Sequence, residues 1–174
     1  KNKKNNWVIF IIGPTASGKT TIGEILFDRL SAENKNLIFY DGDEIRKKLK
    51  YNYGHSISDR YKVLNEYLDI INEDVFNNKK VIISTVLHKQ DMRVLVKEQI
   101  KNCFIIYLKC SLDNLAKRDY KSRYSDAKAG KLKCFPGVTE PYEDVLNADI
   151  IINTENNSID SCVAKIQNRL KEIL

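Results

Sequence analysis

Five short apolar runs punctuate the chain, at residues 8–12, 37–40, 81–84, 104–108 and 150–152. They are rich in β-branched and aromatic residues and nearly continuous rather than alternating. That is the pattern of strands buried on both faces, which belong to parallel sheets. Stretches of helical period lie between them. Ile22, Ile25, Leu26 and Leu30 form one stripe, and Leu64, Tyr67, Leu68, Ile71 and Val75 a second. A third comprises Ile159, Cys162, Val163, Ile166 and Leu170, with Ser158 in position to cap its N-terminus. This alternation predicts an α/β fold, a parallel sheet of about five strands flanked by helices. No repeat, low-complexity tract or linker interrupts it, so residues 1–174 read as a single domain. The least regular region, about 119–142, contains Pro136 and Pro141 and reads as a loop or lid.

Composition narrows the classes. Of 174 residues, 43% are hydrophobic and 30% charged, which allows a packed core. No apolar run approaches the ~20 residues needed to cross a bilayer, so a membrane partner is not expected. Net charge is 29 minus 23, or +6, but the basic residues are scattered except at Lys1, Lys3 and Lys4 and within 121–133. A polyanionic small molecule accounts for this as well as a nucleic acid does. Cys103, Cys110, Cys134 and Cys162 form no Cys-x-x-Cys pair and have no histidine at ligand spacing. They read as reduced thiols of a cytoplasmic protein, not as a zinc site. Trp7 is expected to pack at the start of the first strand and His88 to lie on the surface.

The strongest chemical signal is Gly13-Pro14-Thr15-Ala16-Ser17-Gly18-Lys19-Thr20, followed by Thr21, between the first strand and the first helix. This is the G-x-x-x-x-G-K-[ST] phosphate loop. Its glycines let backbone N–H groups converge on a phosphate, and the helix N-terminus adds a favourable dipole. Lys19 is expected to reach the β- and γ-phosphates of ATP, and the Thr20 hydroxyl to hold Mg²⁺. The second strand runs into Asp41-Gly42-Asp43 at its carboxyl end, where open α/β sheets bind ligands. One carboxylate there can accept a proton from an attacking hydroxyl or orient the metal. We assign both roles to Asp43, alongside a capping role for the helix expected from about Glu44. Arg46 follows by about one turn and can face the same pocket.

These residues resemble those of the adenylylsulfate kinase family, and the similarity extends over most of the chain. Asp-Gly-Asp-x-x-Arg is present as residues 41–46. Gly54-His55-Ser56-x-x-Asp59-Arg60 resembles the family's Gly-Phe-Ser-x-x-Asp-Arg, and Ile83-Ser84 its Ile-Ser-Pro, whose serine is a phosphoserine site. Arg118-Asp119-x-Lys121-x-x-Tyr124 and Ala127-Lys128-Ala129-Gly130 resemble its lid, and Phe135-x-Gly137-x-x-x-Pro141-Tyr142-Glu143 its Phe-Thr-Gly motif.

The resemblance implies transfer of the γ-phosphate of ATP, with Mg²⁺, to the ribose 3′-hydroxyl of a small nucleotide. It implies catalytic roles for Lys19, Asp43 and Ser84, metal contacts from Thr20 and Asp43, and nucleotide contact from Arg118. It places Asp41, Asp43, Arg46, His55, Arg60, Lys121 and Phe135 around the acceptor. A homodimer is the assembly allowed for, with neither nucleic acid nor membrane as partner. The departures from the family pattern fall on the acceptor side. His55 replaces a stacking Phe, and Tyr61-Lys62-Val63-Leu64-Asn65 replaces x-Glu-Asn-Ile-Arg. Thr85, Val86 and Leu87 replace Pro, an aromatic residue and Arg, and Ser122-Arg123 replaces the Gly-Leu of the lid. Each lost charge-assisted contact weakens adenylyl sulfate binding by about 1.5–3 kcal/mol. The family has a relative that phosphorylates a cytidine nucleotide, cytidine diphosphoramidate kinase of capsule synthesis, and a smaller, polar platform at position 55 suits a pyrimidine. The expected acceptor is therefore cytidine diphosphoramidate. The alternatives are adenylyl sulfate and, in another class, a non-catalytic ATP-binding regulator.

Overall fold

A computed structural model describes residues 6–174; Lys1, Lys3 and Lys4 lie outside the described residues. The elements run β1 (Val8–Ile12), α1 (Lys19–Ser31), β2 (Leu37–Asp41), α2 (Gly42–Arg46), α3 (Ile57–Phe76) and β3 (Lys80–Thr85). They continue with α4 (Gln90–Gln99), β4 (Cys103–Lys109), α5 (Leu112–Arg118), α6 (Arg123–Lys128), β5 (Ile150–Asn153) and α7 (Ile159–Ile173). The five strands pair in parallel in the order β2-β3-β1-β4-β5.

The continuous hydrophobicity of the strands has a direct cause. Successive side chains of β1 point to opposite faces, and helices cover both faces. Phe10, Ile83 and Ile105 pack with Leu64, Tyr67, Leu68, Ile71 and Val96 on one side. Ile9, Ile11, Ile82 and Ile106 pack with Ile22, Leu26, Val163 and Ile166 on the other. Trp7 is buried in the second cluster, and the Ser158 hydroxyl caps α7 by accepting from the Ser161 amide.

Two regions differ from the sequence reading. Residues 121–142 are not simply irregular. They include α6, and Leu115 of α5 joins Tyr124, Ala127 and Phe135 in a small apolar cluster separate from the two sheet faces. A six-residue helix is too short for its periodicity to register. His88, expected on the surface, is fully buried. It lies in the β3–α4 connection, and Glu143 from the far end of the lid segment donates its N–H to the His88 carbonyl at 2.8 Å. That contact spans more than fifty residues and has no local signature.

All four cysteines are free, with Cys103 and Cys162 buried. Among the described residues no cluster of histidine, cysteine or acidic side chains could hold a metal by itself. No described helix is long and apolar enough to cross a membrane.

Candidate active site

β1 is the central strand, so the loop after it opens at the middle of the sheet's carboxyl edge, with β3 on one side and β4 on the other. Ala16 and Gly18 both take left-handed backbone, at φ 65° and 92°. Alternation of this kind turns successive N–H groups inward into an anion-binding concavity, and α1 begins immediately after it. The Ser17 side-chain oxygen is buried without a hydrogen-bond partner. Lys19 folds back on the same loop, its Nζ donating to the Pro14 carbonyl at 2.7 Å. Desolvation, opposed by the nearby Asp43 and Asp41 carboxylates, holds its ammonium down at about 8. Thr21 is exposed in the first turn of α1.

The β2–α2 junction supplies the oxygens. Asp41, not Asp43, is the helix cap: its Oδ1 accepts from the Asp43 and Glu44 amides at 3.0 and 3.1 Å. Its Oδ2 accepts from the Thr20 hydroxyl, and from the buried Ser84 hydroxyl at 3.3 Å. The register of β2 with β3, which sets Asp41 opposite Ser84, explains this meeting. Helix α2 also begins earlier than expected, at Gly42. Gly42 is required because a Cβ there would lie 2.5 Å from the Ser84 carbonyl. Asp43 projects outward, 76% exposed, with its Oδ2 4.0 Å from Nη1 of Arg123 on the lid. Thr20, Asp41 and Ser84 therefore form a hard-oxygen set that fits a divalent cation, whereas Asp43 stands free beside it. Thr20 was expected to share a metal with Asp43, but the carboxylate beside it is that of Asp41.

Arg46 ties down the segment that leads into α3. It donates Nη2 to the Gly54 carbonyl and, at 3.2 Å, to that of Tyr53. Ser56 caps α3 by accepting from the Asp59 amide at 3.1 Å, which leaves His55 just outside the helix mouth. Arg60 donates Nε to the His55 carbonyl at 3.2 Å and Nη2 to the Cys134 carbonyl at 3.0 Å. It thereby joins the His55 segment to the residue preceding Phe135. Partial burial, then the Arg46 and Arg60 guanidiniums, hold the His55 imidazole below its ordinary value and so favour its neutral form.

The lid residues separate into those at the site and those away from it. Phe135 is buried, edge-on to Tyr124 with ring centroids 5.0 Å apart, rather than presenting an open platform. The Tyr124 hydroxyl donates to the Thr15 carbonyl at 2.8 Å, fastening α6 onto the phosphate loop. Lys121, expected at the acceptor, instead places its ammonium over the exposed Tyr120 ring, 5.5 Å from the centroid. Arg118 bonds Thr154 beyond the end of β5, through Nη1 to its hydroxyl at 3.0 Å and Nη2 to its carbonyl at 2.8 Å. The lid cation at the reaction side is thus Arg123, which sequence reasoning passed over. Its signal was available only as a change from the family's lid pattern.

Comparison with known proteins shows the family and the fold. The profile of the family described as adenylylsulphate kinase matches residues 5–153. A Campylobacter jejuni protein named cytidine diphosphoramidate kinase is 33% identical over 97% of this chain and 98% of its own. An adenylyl-sulfate kinase of Microcystis aeruginosa is 29% identical over 98% of this chain and 94% of its own. The solved structure of the Mycobacterium tuberculosis APS kinase CysC, titled as a complex with AMPPNP and APS, superposes with a TM-score of 0.86. It covers 95% of this chain and 98% of that one at 22% identity, a likeness of fold. With the family profile running through the phosphate loop and the lid alike, the chain belongs to the adenylylsulfate kinase family of P-loop phosphotransferases, whose acceptor is a hydroxyl group.

Proposed function

We propose that this protein transfers the γ-phosphate of ATP to the ribose 3′-hydroxyl of a small nucleotide, and that the acceptor is cytidine diphosphoramidate. The observation that carries the transfer is the convergence of Lys19, Thr20, Asp41, Ser84 and Asp43 at adjacent strand ends, beneath a lid fastened by Tyr124. The left-handed turns at Ala16 and Gly18 and the unpartnered Ser17 hydroxyl fit a triphosphate. Thr20 and Asp41, backed by Ser84, would hold Mg²⁺, which when bound supplies Lewis-acid polarisation of the phosphoryl oxygens.

In this reading the loop amides and Lys19 bind and orient the phosphates. Asp43, exposed and free of a cap, accepts the proton of the 3′-hydroxyl as it attacks. Arg46 and Arg60 hold the two chain segments that enclose the acceptor, and His55 stands between them. A neutral imidazole offers one donor and one acceptor on a small ring, which suits the edge of a pyrimidine better than the face of a purine. The 33% identity to the Campylobacter jejuni relative supports the same acceptor. Adenylyl sulfate is the second reading, favoured by the many relatives bearing that kinase's name, such as the Microcystis aeruginosa protein. The four free thiols support a reducing, cytoplasmic setting. The exposed Ile151 on edge strand β5 is apolar surface that a second copy could cover in a homodimer.

The test measures ADP release with Mg·ATP and each acceptor in turn. Turnover with the cytidine compound alone is expected, and turnover with adenylyl sulfate alone would replace the acceptor assignment. Asp43→Asn should abolish transfer while leaving ATP affinity within about threefold. Loss of ATP binding in that variant would refute the assignment of Asp43 as the base.

A further inference from the structure

One lid cation faces Asp43. Arg123 opens α6, and the residue before it, Ser122, has left-handed backbone at φ 55°. The Asp119 carboxylate accepts from the Tyr124 amide at 2.7 Å, and the Tyr124 hydroxyl donates to the Thr15 carbonyl. The first contact caps the start of α6 from within the lid, and the second fastens that turn to the phosphate loop. They leave Arg123 37% exposed, its Nη1 4.0 Å from Asp43 Oδ2. At this separation, and with Asp43 largely exposed, the pair is weak and exchangeable.

We propose that Arg123 is a catalytic residue: its guanidinium exchanges Asp43 for the transferring phosphoryl group and stabilises the charge that develops there. The inference rests on the function proposed above. Lys19 marks the donor phosphates and Asp43 the attacking hydroxyl, and the phosphoryl group must pass between them. A cation within ion-pair distance of Asp43, on a helix fastened to the phosphate loop by Tyr124, is placed beside that path. A planar guanidinium can donate two N–H bonds to equatorial phosphoryl oxygens, and this stabilisation grows as the transition state is reached. The pairing with Asp43 also keeps a mobile cation near the site before substrate displaces it. Lys121 cannot take this part from its position over Tyr120.

The experiment is steady-state kinetics of the full chain and of Arg123→Ala and Arg123→Lys, with ATP affinity, thermal midpoint and rescue by added guanidinium chloride at low millimolar concentration. We expect Arg123→Ala to lower kcat by about 10²–10³-fold, with both KM values within about threefold. Arg123→Lys should fall between, because an ammonium supplies charge without the fork. Guanidinium should restore at least about tenfold of the lost rate in Arg123→Ala, which a purely structural role would not permit. A raised acceptor KM with unchanged kcat would overturn the proposal in favour of acceptor binding. Unchanged kinetics, or a lowered thermal midpoint without rescue, would overturn it as well. If the unaltered chain releases ADP with neither acceptor, the proposed function fails and takes this inference with it. If the unaltered chain turns over and Arg123→Ala matches it, only the inference fails.

Discussion

Acidification should destabilise this fold through His88. The residue is fully buried, and neither ring nitrogen has a hydrogen-bond partner. Desolvation is the main cause of a pKa held down at about 4, against 6.5 for an ordinary imidazole, and Arg60 and Lys89 push in the same direction. Glu143 opposes them without reversing the effect. The unfolded chain therefore takes up the proton first as pH falls. The stabilising effect is fully present above pH 6.5 and is lost between there and about pH 4. At about pH 4.5 the unfolded imidazole is almost wholly protonated and the folded one mostly neutral, a difference of about 2.5 kcal/mol. The assay is urea unfolding of the unaltered chain and of His88→Leu at about pH 7 and about pH 4.5. Other carboxylates titrate in both proteins and cancel in the comparison. The unaltered chain should lose about 2.5 kcal/mol more than the variant on acidification. At neutral pH the variant should be as stable or slightly more so, because it removes two unpaired polar atoms from the interior. Equal losses in both proteins would show that the folded His88 takes up its proton as readily as the unfolded one, through a partner gained when charged, and would refute the reasoning.

Two substitutions probe the scaffold around the site. Gly42→Ala would press a methyl against the Ser84 carbonyl at 2.5 Å, a backbone atom that cannot swing aside. It should lower stability by about 1–3 kcal/mol in denaturant unfolding and weaken Mg²⁺-dependent ATP binding by displacing Asp41 from Thr20. Arg93 is fully buried and donates to the carbonyls of Leu87, His88, Glu143 and Asp144 as well as the Gln90 side chain. Arg93→Met should lower stability by about 2–4 kcal/mol, read from the thermal midpoint, because several buried carbonyls lose their donors. An unchanged midpoint would mean that water or a neighbour replaces them.

The parallel sheet was legible because burial on both faces of β1 and β3 imposes a continuous apolar run, and edge strand β5 carries the same apolar signal at Ile150, Ile151 and Ile152 although Ile151 is exposed. The phosphate loop was legible for a related reason: its spacing is a local requirement of wrapping backbone around a phosphate. Residues 121–142 were misread as irregular because a six-residue helix has no measurable period and its cluster draws Leu115 from an earlier helix. His88 was misplaced for want of any local sign that Glu143 and Arg93 would enclose it.

By itself, then, the sequence determined the fold class, the strand positions, the phosphate-binding loop and the Asp-Gly-Asp motif at the end of β2, since each depends on residues within a few positions of one another. Only the tertiary structure decided the division of labour within that motif. Strand register sets Asp41 opposite Ser84 and within reach of Thr20, leaving Asp43 free to face a hydroxyl. It also decided which lid cation meets the site, because the bond from Tyr124 to Thr15 fixes α6 at an angle that turns Arg123 toward Asp43 while Lys121 lies over Tyr120. Those choices rest on contacts across tens of residues, and they exist only once the sheet has brought the ends of its strands together.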